Sequence, residues 1–376
     1  MSQRLRVGMY TTVGPRCGIA DYARALSRAL AARAEVATIP IRPASLNPLR
    51  PVAAGLRLSR RDVAHIQHTY SFFGVDQLTY TLLVRLLLAS IRAPLVLTAH
   101  TVREPGPSRY NGGLGSRLAN AVDAPAWHDT ETFRRADAII VHAAVHRDRL
   151  VRRGLAPARI HVVPPGVTPR VAVEPGDVAG FRARLAVPSA RPIVGVFGFL
   201  DRSKRFRELL EAVAALPGDP VLLAAGGPRL PSHDDVRRDL LATAEDLGIG
   251  DRVRVTGYLE PDTVPLALEA MDLVVVPYAT DESMSYSLHL ALGQGRPVVA
   301  TDVPTLREVQ ARGDCLALAP IADAARLQET LGRLLADPEA RARLAAAARA
   351  YAVREGMETA AARTLQVYAS ARETRR

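Results

Sequence analysis

Short apolar runs rich in valine, isoleucine and leucine alternate with longer stretches whose apolar residues recur at helical spacing, and this alternation continues along nearly the whole chain. In the first half the pattern predicts strands at Leu5–Tyr10, Val36–Ile41, Val63–Gln67, Leu95–Thr98, Ala138–Val141 and Ile160–Val163. Helices are expected between them at Ile19–Ala32, Leu78–Ser90 and Ala144–Arg153. The second half predicts strands at Ile193–Phe197, Val221–Ala225, Val253–Thr256, Leu273–Pro277, Val298–Thr301 and Cys315–Leu318. Its expected helices are Phe206–Ala215, Asp235–Leu247, Val264–Ala270 and Tyr286–Gln294. Uniformly apolar strands separated by helices indicate parallel sheets covered on both faces.

The alternation pauses once. Residues 164–192 hold six prolines and only a short helical signal near Val178–Leu185, which marks them as an interdomain joint. After the last strand come helical stretches at Asp323–Ala336, Pro338–Ala352 and Glu358–Arg372. The expected architecture is α/β, with two tandem doubly wound Rossmann-like domains and a helical C-terminal tail. Its expected divisions are residues 1–172, 173–355 and 356–376. Two such domains facing each other would form a central cleft, and ligands of open α/β sheets bind beyond the carboxyl ends of the strands. The loops after strands are therefore the places to look for chemistry.

Composition narrows the function classes. With 48% hydrophobic and 23% charged residues, the chain has the balance of a soluble globular enzyme. No apolar run reaches the roughly 18 residues of a membrane span, and the start shows no signal-peptide block, so a cytoplasmic location is expected. Two cysteines, Cys17 and Cys315, are too few for a disulfide framework or a zinc site. The net charge of +11 is uneven. Residues 1–170 hold 24 arginines and 10 acidic residues, a balance of +14, and residues 171–376 hold 25 basic and 28 acidic, a balance of −3. A basic first half suits an anionic partner: a phosphorylated substrate or an acidic membrane surface. Nucleic acid is not expected, because the arginines are scattered without interleaved aromatics. Arg50, Arg57, Arg60 and Arg61, beside Val52, Leu56 and Leu58, make the candidate surface for peripheral membrane contact.

Several strand-end loops carry candidate chemistry. Thr11–Ala20 contains Gly14 and Gly18 ahead of a helix, which fits an anion, a sugar hydroxyl or a plain turn; it is not a G-x-G-x-x-G fingerprint. His65, His68 and His100 end strands, and His100 is placed to bond a hydroxyl or assist proton transfer. His142 and His146 stand at i, i+4 without a third metal ligand nearby. Lys204 is the one lysine in a chain that otherwise uses arginine, and it lies between Arg202 and Arg205 in a strand-end loop, a good point charge for a diphosphate. Glu282 precedes a helix whose start offers Ser283, Ser285 and Ser287 to sugar hydroxyls or phosphate.

Taken in order, CGIADYARAL, the strand-end His100, ADAIIVH, IHVVPPGV, GFLDRSK, AAGGP, VRVTGYL, DLVVVPY and ESMSYSLHLALGQGRPVVAT resemble the GT-B fold glycosyltransferases, in particular the retaining family 4. The resemblance covers essentially the whole chain. It implies a nucleotide-sugar donor held mainly by the second domain, an acceptor held by the first, and a last helix that crosses back to the first. By the same resemblance the catalytic residues are His100, Lys204 and Glu282. The donor would be bound by Gly18, Arg202, Lys204, Glu282, Ser285, Tyr286 and Ser287, with Cys17 and His68 on the acceptor side and no metal or other cofactor. The chain departs from the family pattern at Leu290, where a ribose-binding glutamate is usual, and at Phe199 and Arg205 around the phosphate lysine. His289 is the polar neighbour that could stand in for Leu290.

The reaction so implied is transfer of a sugar to a hydroxyl of a glycan, a lipid-linked intermediate or a small natural product. Transfer would be on the front face, with the leaving phosphate accepting the acceptor's proton. The alternatives are a non-catalytic sugar-nucleotide-binding subunit, favoured by Leu290, and a sugar-nucleotide epimerase, which would need carboxylates beyond Glu282.

Overall fold

A computed structural model of the chain describes residues 4–14, 17–43, 45–104, 130–228 and 234–375. The chain divides into two compact units. The first comprises residues 1–166, 282–284 and 357–376; the second comprises residues 167–281 and 285–356.

The first unit is built on a six-stranded parallel sheet in the order β2-β1-β3-β4-β5-β6. Its strands are β1 (Leu5–Thr12), β2 (Ala34–Ile41), β3 (Val63–His68), β4 (Leu95–Ala99), β5 (Ala138–Val141) and β6 (Ile160–Val162). Helix α1 (Gly18–Leu30) buries Ala20, Tyr22, Ala23, Leu26 and Leu30, one stripe at helical spacing. Helix α2 (Leu49–Leu58) lies against α3 (Gln77–Ala89), which Asp76 and Thr79 start with a reciprocal capping box. Helix α4 (Ala144–Arg152) leads to β6.

The second unit carries another six-stranded parallel sheet, in the order β12-β11-β10-β7-β8-β9, which is the doubly wound arrangement with its switch point between β7 and β10. Its strands are β7 (Ile193–Phe197), β8 (Val221–Ala225), β9 (Val253–Val255), β10 (Leu273–Val276), β11 (Val298–Thr301) and β12 (Leu316–Ala319). The helices are α5 (Pro175–Arg184), α6 (Phe206–Ala214), α7 (Asp235–Asp246), α8 (Val264–Ala270), α9 (Tyr286–Gly293), α10 (Pro304–Gly313), α11 (Ala324–Ala336) and α12 (Pro338–Arg354). Sequence pattern leaves residues 302–314 unassigned, yet they form α10. Pro304 sits in the helix's first turn, where its missing N–H costs nothing.

The proline-rich stretch expected to be a joint is packed into the second unit. Gln294 donates to the Val171 carbonyl at 2.7 Å, Arg170 pairs with Glu269 at 2.7 Å, and α5 packs on α8. The division accordingly falls after Gly166, earlier than the expected 172/173, and Val167 N–H donates to the Glu355 carbonyl. The expected basic helix face also changes: Leu58 is fully buried, and Arg61 is paired with Glu35 at 3.1 Å. Among the described residues no helix is long and apolar enough to cross a membrane.

The last helix, α13 (Met357–Thr374), packs on α1, β4 and β5 within the first unit and buries Val367, Tyr368 and Ala371. Tyr368 Oη lies 2.7 Å from His65 Nδ1 in the middle of the sheet's covered face. Tyr368→Phe removes that hydroxyl and leaves a buried ring nitrogen unpaired. It should lower unfolding free energy by about 1–3 kcal/mol, seen as a reduced urea midpoint with an unchanged slope.

Candidate active site

At the switch point of the second sheet, β7 is followed by Gly198, whose φ of +100° only glycine adopts readily. A methyl group there would stand 2.5 Å from Ser287 Oγ and 3.5 Å from Lys204 Nζ, so these two polar atoms converge on the glycine's bare face. Gly226, after β8, passes close behind: a methyl group on it would meet the Gly198 carbonyl oxygen at 2.1 Å. The loop carrying Lys204 is laced to the end of β10, with Arg205 N–H donating to the Pro277 carbonyl and Ala279 N–H to the Ser203 carbonyl.

Lys204 is buried and donates to the Phe197 carbonyl at 3.1 Å, with the Tyr278 ring nearby. Burial pushes its ammonium down to about 8, partly opposed by the Asp201 carboxylate. An ammonium held this way, short of counter-charge, favours an arriving anion. Helix α9 begins beside it. Its N-cap Ser285 accepts the Leu288 N–H at 3.1 Å, so the Ser285 hydroxyl is occupied in capping, and the start of the helix presents Tyr286 and Ser287. The second unit thus brings Lys204 and Ser287 together with the first turn of α9.

It does not bring Arg202 there. That side chain is 73% exposed and paired with Asp235, with Asp239 3.9 Å away. Nor can His289 stand in for a ribose-binding carboxylate. Its ring is buried, its Nδ1–H donates to the Ser285 carbonyl at 2.7 Å, and burial pulls it down to about 4. Half-buried Leu290 is the neighbouring side chain with surface to offer.

In the first unit His100 follows β4, and both of its ring nitrogens are engaged. Nε2 lies 2.7 Å from the Gln67 carboxamide and Nδ1 3.3 Å from His142 Nε2, while the Tyr22 ring packs edge-on at 5.3 Å. His142 Nδ1–H donates to the Val163 carbonyl at 2.8 Å. Burial, with His142, His65 and His68 around it, holds His100 well below the ordinary range and therefore neutral. The Gln67 carboxamide oxygen faces His100 Nε2, while its amide nitrogen donates to Met9 Sδ at 3.1 Å and lies 3.2 Å from His65 Nε2, which is itself 2.7 Å from Thr98 Oγ1. One hydrogen-bonded network thus connects Tyr368, His65, Gln67, His100 and His142 and ends on the Val163 carbonyl. Both nitrogens of the half-buried His100 thus face protein partners in this structure.

Glu282 belongs to the same unit. Its carbonyl accepts the Val102 N–H at 2.8 Å, and Thr101 Oγ1 lies 3.0 Å from Ser283 Oγ, so the segment after His100 is joined to the segment around the half-buried Glu282 side chain. Cys17 occupies the N-cap position of α1 and Gly18 its first turn, both half-buried. His68, expected on the acceptor side, is a core residue instead. It is 1% exposed, 2.7 Å from Tyr80 Oη, and enclosed by Tyr70, Phe73, Tyr80 and Phe133, with burial drawing it down to about 3. Among the described residues no cluster of three or more His, Cys, Asp or Glu side chains is grouped as a metal site.

Two family profiles match the chain, "Glycosyltransferase Family 4" over residues 17–171 and "Glycosyl transferases group 1" over residues 191–337. The D-inositol 3-phosphate glycosyltransferase of Xylanimonas cellulosilytica is 33% identical over 297 residues, spanning 75% of this chain and 67% of that one. The chain belongs to the family 4 glycosyltransferases. Its counterpart of the same name from Nocardia farcinica is 31% identical over 288 residues, covering 74% of this chain and 62% of the relative, so the family member described here spans about three fifths of that relative's length. The GT-B fold is shared with HepE of Anabaena, solved in complex with UDP and glucose (TM-score 0.77, 18% identity, 98% of this chain and 100% of that one).

In this glycosyltransferase the residues that sequence reasoning missed are Gly198, Gly226, Gln67 and the ring of Tyr22. The glycines had a usable signal, since each directly follows an apolar strand, whereas Gln67 in mid-strand had none. The buried rings give the transferase a measurable acid sensitivity. Unfolded histidines take up protons below about 6.5, while His65 and His68 resist to about 3 and His289 to about 4. The unfolded state therefore binds more protons as pH falls from 6.5 toward 4. Stability should decline across that window, by up to about 1.4 kcal/mol per pH unit for each ring, and thermal unfolding followed at stepped pH reads this directly.

Proposed function

We propose that this family 4 glycosyltransferase moves a sugar from a nucleoside-diphosphate donor to a hydroxyl of its acceptor, with retention of configuration and without a metal ion. The observation that carries this reading is Lys204: a buried ammonium at the switch point of the second sheet, converging with Ser287 on the bare face of Gly198 at the start of α9. When the bond from the anomeric carbon to the β-phosphate oxygen breaks, negative charge gathers on the diphosphate. A preorganised ammonium and the helix's first N–H groups stabilise that charge where it develops. The acceptor oxygen forms its bond to the anomeric carbon on the face the phosphate leaves, and its proton passes to the departing phosphate oxygen. With the nitrogens of His100 engaged, this histidine is read as a positioning residue for the loop it shares with Glu282, and Glu282 as the acceptor of sugar hydroxyl bonds.

The basic first unit favours an anionic acceptor, and the name of the curated relatives makes an inositol phosphate the first acceptor to try. With Arg202 tied to Asp235, the phosphate cation of this reading is Lys204 alone. Leu290 leaves the donor's ribose without a carboxylate, which favours a screen of several nucleotides over an assumed one.

Lys204→Ala and Glu282→Ala should each reduce transfer by more than about tenfold while leaving the far-ultraviolet spectrum intact, as loss of a charge-assisted contact costs about 1.5–3 kcal/mol. Lys204→Arg should also be poor, because a planar guanidinium does not fit a point-charge site. Wild-type turnover in a folded variant would remove that residue's role. Turnover should be unchanged by EDTA; loss restored by magnesium or manganese would overturn the metal-free reading. Because the Lys204 ammonium deprotonates near pH 8 in the free protein, calorimetric affinity for nucleoside diphosphate should fall severalfold as pH rises from about 7 to 9, and Lys204→Ala should abolish that dependence.

A further inference from the structure

Exposed aliphatic side chains are concentrated in one place. Of the nine large hydrophobic residues exposed among those described, six lie between residues 46 and 82: Leu46, Leu49, Leu56, Val75, Leu78 and Leu82. They are carried by α2, α3 and the segments leading into them. The two helices pack side by side where Gly55, on which a methyl group would stand 2.5 Å from Ser90 Cβ, lets α2 approach the end of α3, and Ser59 Oγ donates to the Ser90 carbonyl. Helical spacing puts Leu49 and Leu56 on one side of α2 and Leu78 and Leu82 on one side of α3, and all four are exposed.

A cavity of about 310 Å³ opens beside α2. Its apolar floor includes Tyr10, Phe72 and Phe73, and its polar rim includes Arg42, Arg50 and Arg57. Residues 36–89 contain six arginines and two acidic residues. Both acids are occupied: Asp62 is paired with Arg6 at 2.8 Å, and Asp76 caps α3. Arg42, Arg50 and Arg57 form no ion pair with a carboxylate among the described residues. The segment that carries the exposed leucines therefore also carries the arginines of a positive recess, with Leu49 next to Arg50 and Leu56 next to Arg57 in the chain.

We propose that the α2–α3 face of the first unit docks on an acidic phospholipid bilayer. Lipid phosphates sit at the arginine rim of the cavity, and Leu49, Leu56, Leu78 and Leu82 enter the boundary between headgroups and acyl chains. A soluble phosphate would use the arginines and leave the leucines bare. An acidic protein would be drawn by the same arginines, but exposed leucines bordered by cations match the layering of an anionic lipid surface. This surface keeps Arg50, Arg57 and Leu56 of the one expected from sequence, drops the buried Leu58 and the paired Arg61, and adds the leucines of α3. The docking does not depend on the transfer reaction, and its test needs no donor or acceptor.

The test is co-sedimentation of the full chain with phosphatidylcholine vesicles, with and without phosphatidylglycerol. The chain should sediment with the acidic vesicles at low salt, stay in solution with the neutral ones, and release as salt rises. The combined variant Leu49→Ser, Leu78→Ser and Leu82→Ser alters exposed positions only, and a circular-dichroism melt checks its fold. It should weaken binding by about tenfold or more. The combined variant Arg50→Gln and Arg57→Gln should weaken binding and flatten its salt dependence. Absence of sedimentation at low salt overturns the proposal. So does binding that ignores the leucine substitutions and is displaced equally by inorganic phosphate or polyglutamate, which would assign the face to a soluble anion or an acidic protein.

Discussion

Every strand pair in both sheets runs parallel, so each strand must be followed by a crossover, and the strand-end loops of each sheet are gathered along one edge. That constraint places the chemistry. In the second unit the loops after β7, β8 and β10 have little choice but to meet, and the close pass of Gly226 behind Gly198 shows how tightly backbone must be stacked for a lysine to be buried there. A bulkier residue at either glycine would push the strands' ends apart and take the ammonium out of register with α9.

The first unit meets the same constraint with polar side chains in its interior. Burying rings and an amide between a sheet and its covering helix is costly unless the nitrogens find partners, and the network from Tyr368 through His65, Gln67, His100 and His142 to Val163 supplies them. That network ties the strand-end histidine to a helix from the far end of the sequence. The loop that bears His100 therefore inherits its position from elements well outside its own neighbourhood.

Much of this could be read from the chain itself. The strands Ala138–Val141, Ile193–Phe197, Val221–Ala225 and Val298–Thr301 match residue for residue, because a strand buried on both faces is simply an apolar run between turn residues. Lys204 stood out by composition, as a lone ammonium among guanidinium groups. What sequence could not reveal were pairings made across long separations. Arg202 looks like a phosphate cation until Asp235 is folded beside it, and His68 looks like a ligand until four aromatic rings close around it. Gln67 carries no local signal, since its value lies in bridging two histidines on different strands. The proline-rich stretch misled for a related reason: prolines report a locally irregular path, and that path is compatible with firm packing through Gln294 and Glu269.

The membership of Met357–Thr374 in the first unit gives the chain the topology of an insertion. Apart from residues 282–284, which belong to the first unit, the stretch between Gly166 and Met357 is the second unit, and these two residues touch: a methyl group on Gly166 would meet Met357 Cα at 2.7 Å. A gene truncated after residue 166 would leave the sheet without the helix that covers it, whereas one joining Gly166 directly to Met357 would bring sheet and helix into a single short reading frame. The natural seam for dividing this protein is thus a loop excision in place of a cut between halves.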